Sequence, residues 1–206
     1  MLCFPRLSSL SIFACPNLTS MPLFPTLNEL LRLWESSSMP LQQTMKMTSP
    51  VSSTSSSFSS SSSFTRPLSK LKSLLLDSID DMESLPEVGL QNLSSLQSLS
   101  IYACPRLKSL PLPAQGMHSL QKLDIIGCRE LKSLSESESG SQGMIPYLPS
   151  LQFLRIDYCS EELSGRTRGW GKESEEEWPI IKHIPYISID GYYIQREGRY
   201  VKGEGY

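Results

Sequence analysis

Five cysteines and two histidines are the side chains of this 206-residue chain that could supply thiolate or imidazole chemistry. A cysteine nucleophile needs an imidazole within hydrogen-bond reach, and a structural zinc site needs close ligand pairs such as C-x-x-C. Neither pattern is present. Cys15, Cys104, Cys128 and Cys159 stand at one position of a repeated phrase, and the last three are 24 and 31 residues apart. That is the spacing of a core column, not of a ligand set. His118 lies in a connection and His183 far toward the C-terminus, so neither shares a segment with a thiol. Serine is abundant, but no G-x-S-x-G elbow would activate one. The acidic clusters, Glu136 with Glu138 and Glu173 to Glu177, read as solvated loop charge. These residues imply no enzyme, no cofactor and no metal.

Composition narrows the classes further. Nineteen basic side chains nearly cancel 21 acidic ones, so the chain lacks the basic footprint of nucleic-acid recognition. No run of about 18 uninterrupted apolar residues exists to span a membrane. The opening MLCFPRLSSLSIFACP has apolar residues, but Pro5, Arg6 and three serines interrupt any secretory core, and the stretch fits the repeat better. Reduced thiols in a cytosol are the expectation. The motifs Asn17-Leu18-Thr19 and Asn92-Leu93-Ser94 match the glycosylation pattern, and without a leader they read as chance.

The cysteines belong to a frame that organises the chain. In LQSLSIYACPRLKSLP, Leu96 to Pro111, apolar residues stand at positions one, four, six, twelve and fifteen, with Cys at nine. The same frame gives Leu7, Leu10, Ile12, Cys15, Leu18 and Met21; Leu71, Leu74, Leu76, Ile79, Met82 and Leu85; Leu120, Leu123, Ile125, Cys128, Leu131 and Leu134; and Leu151, Leu154, Ile156 and Cys159. A degenerate copy starts at Leu27, where one extra residue lets either Leu30 or Leu31 take the second apolar position. Residues two apart, such as Leu99 and Ile101, point to one face of a strand, so each copy contributes one strand and the copies stack into a parallel sheet. Pro111 and Pro113 discourage a long helix on the return, which predicts turns, 3₁₀ pieces or a short helical turn. One copy buries too little to hold itself, and neighbours must cover each other.

Five segments follow. Residues 1–35 are N-terminal repeats. Residues 36–65, where ten of the twelve residues from Ser52 to Ser63 are serine, are expected to be a disordered insertion. Repeats resume over 66–163. Residues 164–190 are expected to cap the array, with the alternation of Tyr186 to Ile189 forming one more strand. Residues 191–206, rich in glycine and mixed charge, are expected to be a flexible tail.

Between the core positions lie the side chains of the opposite face. Phe13, Tyr102 and Phe153, interspersed with Lys122, Asp124, Arg155 and Asp157, are the candidate protein-binding residues, because aromatic and arginine side chains are favoured interface anchors.

The phrase C-P-x-L-x-S-L-P at Cys104 to Pro111, together with WPIIKHIPYISIDG at 178–191, resembles the C-terminal leucine-rich repeat region of plant intracellular nucleotide-binding disease resistance proteins. The resemblance covers about residues 4–190 apart from the serine insertion. It implies an α/β leucine-rich repeat solenoid, with a curved parallel sheet on the concave side and loops, turns and short helical pieces on the convex side. It further implies a cytoplasmic role in pathogen sensing and in holding a receptor inactive. Implied partners are proteins: a pathogen effector, a guarded host protein, or the missing nucleotide-binding domain of the same receptor. The P-loop G-x-x-x-x-G-K-[ST] is missing here. Its nearest approach, Gly171-Lys172, is followed by Glu173 and has Arg166 where the first glycine belongs, so no ATP or ADP binding is expected. The chain resembles a terminal fragment, a truncated product or a partial gene model, starting within a repeat and leaving an uncapped edge prone to aggregation. Other origins of the same frame are a remnant with no independent activity and an extracellular repeat receptor.

Overall fold

Each L-x-I or L-x-L phrase becomes one five-residue strand, because alternation puts two apolar side chains on one face while the backbone edges pair with the copies on either side. In the computed structural model, which describes residues 7–20, 27–46, 68–113, 117–134 and 145–205, these strands are β1 (Ser9–Phe13), β2 (Leu30–Trp34), β3 (Ser73–Asp77), β4 (Ser98–Tyr102), β5 (Lys122–Ile126) and β6 (Phe153–Asp157). They pair in chain order, all parallel. A seventh strand, β7 (Tyr186–Ile189), continues the parallel order. Then β8 (Tyr192–Arg196) and β9 (Arg199–Gly205) add on antiparallel, completing a nine-stranded sheet.

The register is residue for residue. Leu10, Leu31, Leu74, Leu99, Leu123, Leu154 and Ile187 form one column, and Ile12, Leu33, Leu76, Ile101, Ile125, Ile156 and Ile189 the next. Leu31, not Leu30, therefore holds the apolar position left open in the degenerate copy. From β2 to β7 these side chains are buried, and Leu96, Leu107, Leu110, Leu120 and Leu131 close the core from the returning segments. Leu10 and Ile12 are only half-buried, since among the described residues β1 has a strand on one side alone. The return is mostly irregular, as its prolines require. Parallel bridges link Ser84 to Ser109 and Ser109 to Ser133, and one copy turns into the short helix α2 (Glu87–Asn92), the second helix after α1 (Met39–Lys46).

The residue after each strand takes a left-handed conformation: Ala14, Glu35, Ser78, Ala103, Gly127, Tyr158 and Asp190 all have positive φ. Five of these residues, Ala14, Glu35, Ser78, Ala103 and Gly127, donate their N–H to the last carbonyl of the following strand, at 2.8–3.0 Å. The ladder thus extends one rung beyond the strands and offsets the conformational cost.

The cysteine column follows immediately. Each thiol donates to the carbonyl two residues earlier: Cys15 to Phe13, Cys104 to Tyr102, Cys128 to Ile126 and Cys159 to Asp157, at 3.2, 3.3, 3.8 and 3.5 Å. In the degenerate copy Ser36 does the same to Trp34 at 2.8 Å. A hydrogen bond shared with Cys128, together with burial, pushes the Cys104 thiol up. Burial pushes Cys159 up to about 12 from 9.0. The folded state therefore keeps the Cys159 proton where the unfolded chain releases it. Stability from this group is complete below pH 9 and declines as pH rises toward 12. Chemical denaturation across that window should show the decline, with a shallower slope in Cys159→Ser.

Two segments differ from expectation. Residues 36–46 are ordered, and α1 (Met39–Lys46) packs beside α2. Ser36, Ser37 and Ser38 are buried, with Leu41 and Met45 on the inner helix face. Ser37 Oγ donates to Asp81 Oδ2 at 2.6 Å and the Ser38 N–H to Asp81 Oδ1 at 2.9 Å. The rest of the serine-rich stretch, residues 47–67, lies outside the described residues, as do Met21, Glu136 and Glu138. The expected flexible tail is instead the hairpin β8–β9. Asp190-Gly191 and Glu197-Gly198 carry positive φ at both residues, the two-residue turn geometry whose twist suits antiparallel strands. Across the start of the segment expected to cap the array runs α3 (Glu161–Arg168), begun by Ser160 Oγ accepting from the Leu163 N–H, and within that segment lies the four-residue α4 (Trp178–Ile181).

Candidate functional site

The face opposite the core carries three rows that run across the parallel strands. Ser9, Leu30, Ser73, Ser98, Lys122, Phe153 and Tyr186 form the first. Ser11, Arg32, Leu75, Ser100, Asp124, Arg155 and Ser188 form the second, and Phe13, Trp34, Asp77, Tyr102, Ile126 and Asp157 the third. Small residues in the middle strands separate two clusters of larger ones.

The cluster on β4 to β7 unites six of the seven sequence candidates. Asp124 is only 5% exposed. Its Oδ2 accepts from the Tyr102 hydroxyl at 2.8 Å and lies 3.2 Å from Lys122 Nζ. Its Oδ1 is buried with no hydrogen-bond partner among the described residues. Burial, and then the neighbouring carboxylate, raise the Tyr102 phenol above its usual range despite a hydrogen bond with Ser100, so it stays a proton donor. Arg155 Nε sits 2.5 Å from Oδ2 of the wholly buried Asp157. Phe153, 44% exposed, stacks on Tyr186 with ring centroids 4.8 Å apart and planes inclined by 8°. Between them lies a shallow groove of about 410 Å³, lined also by Ser188 and Tyr193. Asp124 and Asp157 thus act from beneath the surface, orienting Tyr102, Lys122 and Arg155, whereas Phe153, Lys122 and Arg155 reach solvent.

Phe13 stands apart on β1. Its ring meets Trp34 edge to face at 5.7 Å, and the Arg32 guanidinium lies 5.3 Å from its centroid. Arg32, Trp34, Tyr186 and Tyr193 are missing from the sequence candidates. The first two hid behind the open register of LNELLRLW, and taking Leu31 as the inward residue would have turned both to the open face. Tyr186 follows from the alternation YISI, once that strand is placed beside β6 instead of treated as a cover.

The other candidate chemistries stay scattered. His118 is exposed ahead of β5, while His183 Nε2 lies 2.8 Å from the Leu148 carbonyl and its ring packs 5.0 Å from Tyr147. No metal-holding group of three His, Cys, Asp or Glu side chains occurs among the described residues. Glu177 pairs with Ser174 in its own loop. No helix among the described residues is long and apolar enough to cross a membrane.

A residue-for-residue parallel sheet, one strand per copy, with the leucine, isoleucine and cysteine columns inside, defines a leucine-rich repeat protein. The family model for leucine-rich repeats of the plant disease resistance protein RPS2-like kind matches residues 1–129, and the chain belongs to that family. No curated protein and no solved structure matches it.

Proposed function

We propose that this chain is a non-catalytic recognition and autoregulatory module of a plant disease resistance receptor, working in the cytoplasm through the open face of its sheet. The partner is a protein: a pathogen effector, a guarded host protein or the nucleotide-binding domain of the same receptor. The observation that carries this reading is the Phe153–Tyr186 stack, solvent-facing and flanked by Lys122 and Arg155, whose own carboxylates hold them in place. Preorganised aromatic and arginine side chains lose little freedom on docking, which is what distinguishes an anchor from a merely wet surface.

The test uses a receptor carrying this repeat region. Phe153→Ala with Tyr186→Ala should weaken association with the receptor's nucleotide-binding domain, or with its effector, by about 2 kcal/mol or more. Co-precipitation of the tagged partners and the cell-death response report it. Association and signalling unchanged in the double variant would remove the open face from the mechanism.

A further inference from the structure

The two clusters on the open face differ in how their cations are matched. Lys122 and Arg155 each rest on a carboxylate of their own strand. Arg32 has no ion pair among the described residues. Its Nε is buried without a hydrogen-bond partner, its guanidinium lies against the Phe13 ring, and its row neighbours are Ser11 and Leu75. The acid in the adjoining row, Asp77, stands opposite Trp34 and accepts from Ser78 Oγ at 3.0 Å. A guanidinium fixed against an aromatic ring, with donors unused, is shaped for a planar carboxylate, which it can take through two parallel hydrogen bonds. Phe13 and Trp34, 44% and 39% exposed, add apolar surface in the adjoining row.

We propose that Phe13, Arg32 and Trp34 form an anchoring site for an aspartate or glutamate of a partner protein, with Arg32 taking the carboxylate and the two rings covering the apolar atoms beside it. The proposal rests on the open face being the docking face, and it gives the chemistry of one end of the partner. Asp77, the acid of the adjoining row, accepts from Ser78 and makes no ion pair with Arg32 among the described residues.

The full chain is titrated with an octaglutamate peptide blocked at both ends, and separately with octalysine and with inorganic phosphate. Binding is followed by Trp34 emission and by anisotropy of labelled peptide. Octaglutamate should bind, with affinity reduced about tenfold or more in Arg32→Gln. Arg32→Lys, which keeps charge and bulk but loses the fork, should fall between the two and gives the answer if the glutamine variant misfolds by circular dichroism. Trp34→Phe should lose the emission change, which assigns that signal to the site. Equal binding by the folded arginine variants, equal binding of octalysine, or displacement of the peptide by phosphate at matched charge would overturn the acidic anchor. In the receptor, loss of association on Phe153→Ala but not on Arg32→Gln removes this site and leaves the docking face standing. No effect of either removes both.

Discussion

Replacing Asp157 by alanine should lower the stability of the chain by about 3 kcal/mol and loosen its C-terminal hairpin before the rest. The carboxylate is wholly buried and serves two groups at once: Oδ2 holds Arg155 Nε at 2.5 Å, and Oδ1 accepts the Gly191 N–H at 3.0 Å. Gly191 is the second residue of the turn that launches β8. Alanine leaves that N–H without its acceptor and removes the carboxylate beside the arginine. Arg155 is 42% exposed and recovers water, so most of the loss comes from the turn. Asparagine keeps an acceptor of the same shape without the charge, and should cost about half as much. Urea denaturation gives the totals, and amide exchange over residues 192–201 shows where the opening begins. Unchanged protection of the hairpin in Asp157→Ala would mean that the turn stands without its buried acceptor.

Gly89→Ala should also destabilise, against the helix preference of alanine. In an exposed helix the change would gain about 1 kcal/mol. Here, however, a Cβ at position 89 would lie 2.4 Å from Met45 Cβ and 2.9 Å from its Cγ. A Cβ cannot rotate away, so α1 and α2 must separate, at about 1–3 kcal/mol for overpacking. The wedge outweighs the propensity. Thermal unfolding of the single variant and of its combination with Met45→Gly forms a double-mutant cycle, in which the penalty at 89 should shrink once the opposing Cβ is gone. A stabilised Gly89→Ala would show that α1 is not pressed against α2.

Both variants act on segments poorly legible from the sequence, the C-terminal hairpin and α1, and the reasons are physical. The strands β3 to β6 could be placed to the residue because four apolar columns repeat without interruption, and a one-residue slip would turn every leucine out of the core. The open-face rows followed from the same alternation. Residues 36–46 were obscured because serine composition dominates that stretch, while the helical signal is only Leu41 and Met45, four apart. Ser36 does continue the frame as the ninth-position residue, but it is a hydroxyl in a column otherwise read through thiols. The hairpin was obscured for the opposite reason. Asp190-Gly191 is among the strongest short-range hairpin signals, yet it stood at the end of a family-like phrase, where glycine and charge pointed to a frayed end. Burial of Asp124 and Asp157 was illegible altogether, since alternation assigns a face but not the depth at which a neighbour covers it.

The direct pairing of Leu74 with Leu99 and of Leu99 with Leu123 bears on how such chains can change length over generations. An unequal crossover that removed residues 96–119 would bring Leu120 into the place of Leu96 and lay β5 beside β3 with every inward column still matched. Gain or loss of a whole copy is therefore nearly silent for the interior, while it discards Tyr102 and brings Lys122 and Asp124 next to Ser73 and Leu75. Molecules of this kind can trade partners by changing their number of rungs, leaving the packing that supports them untouched.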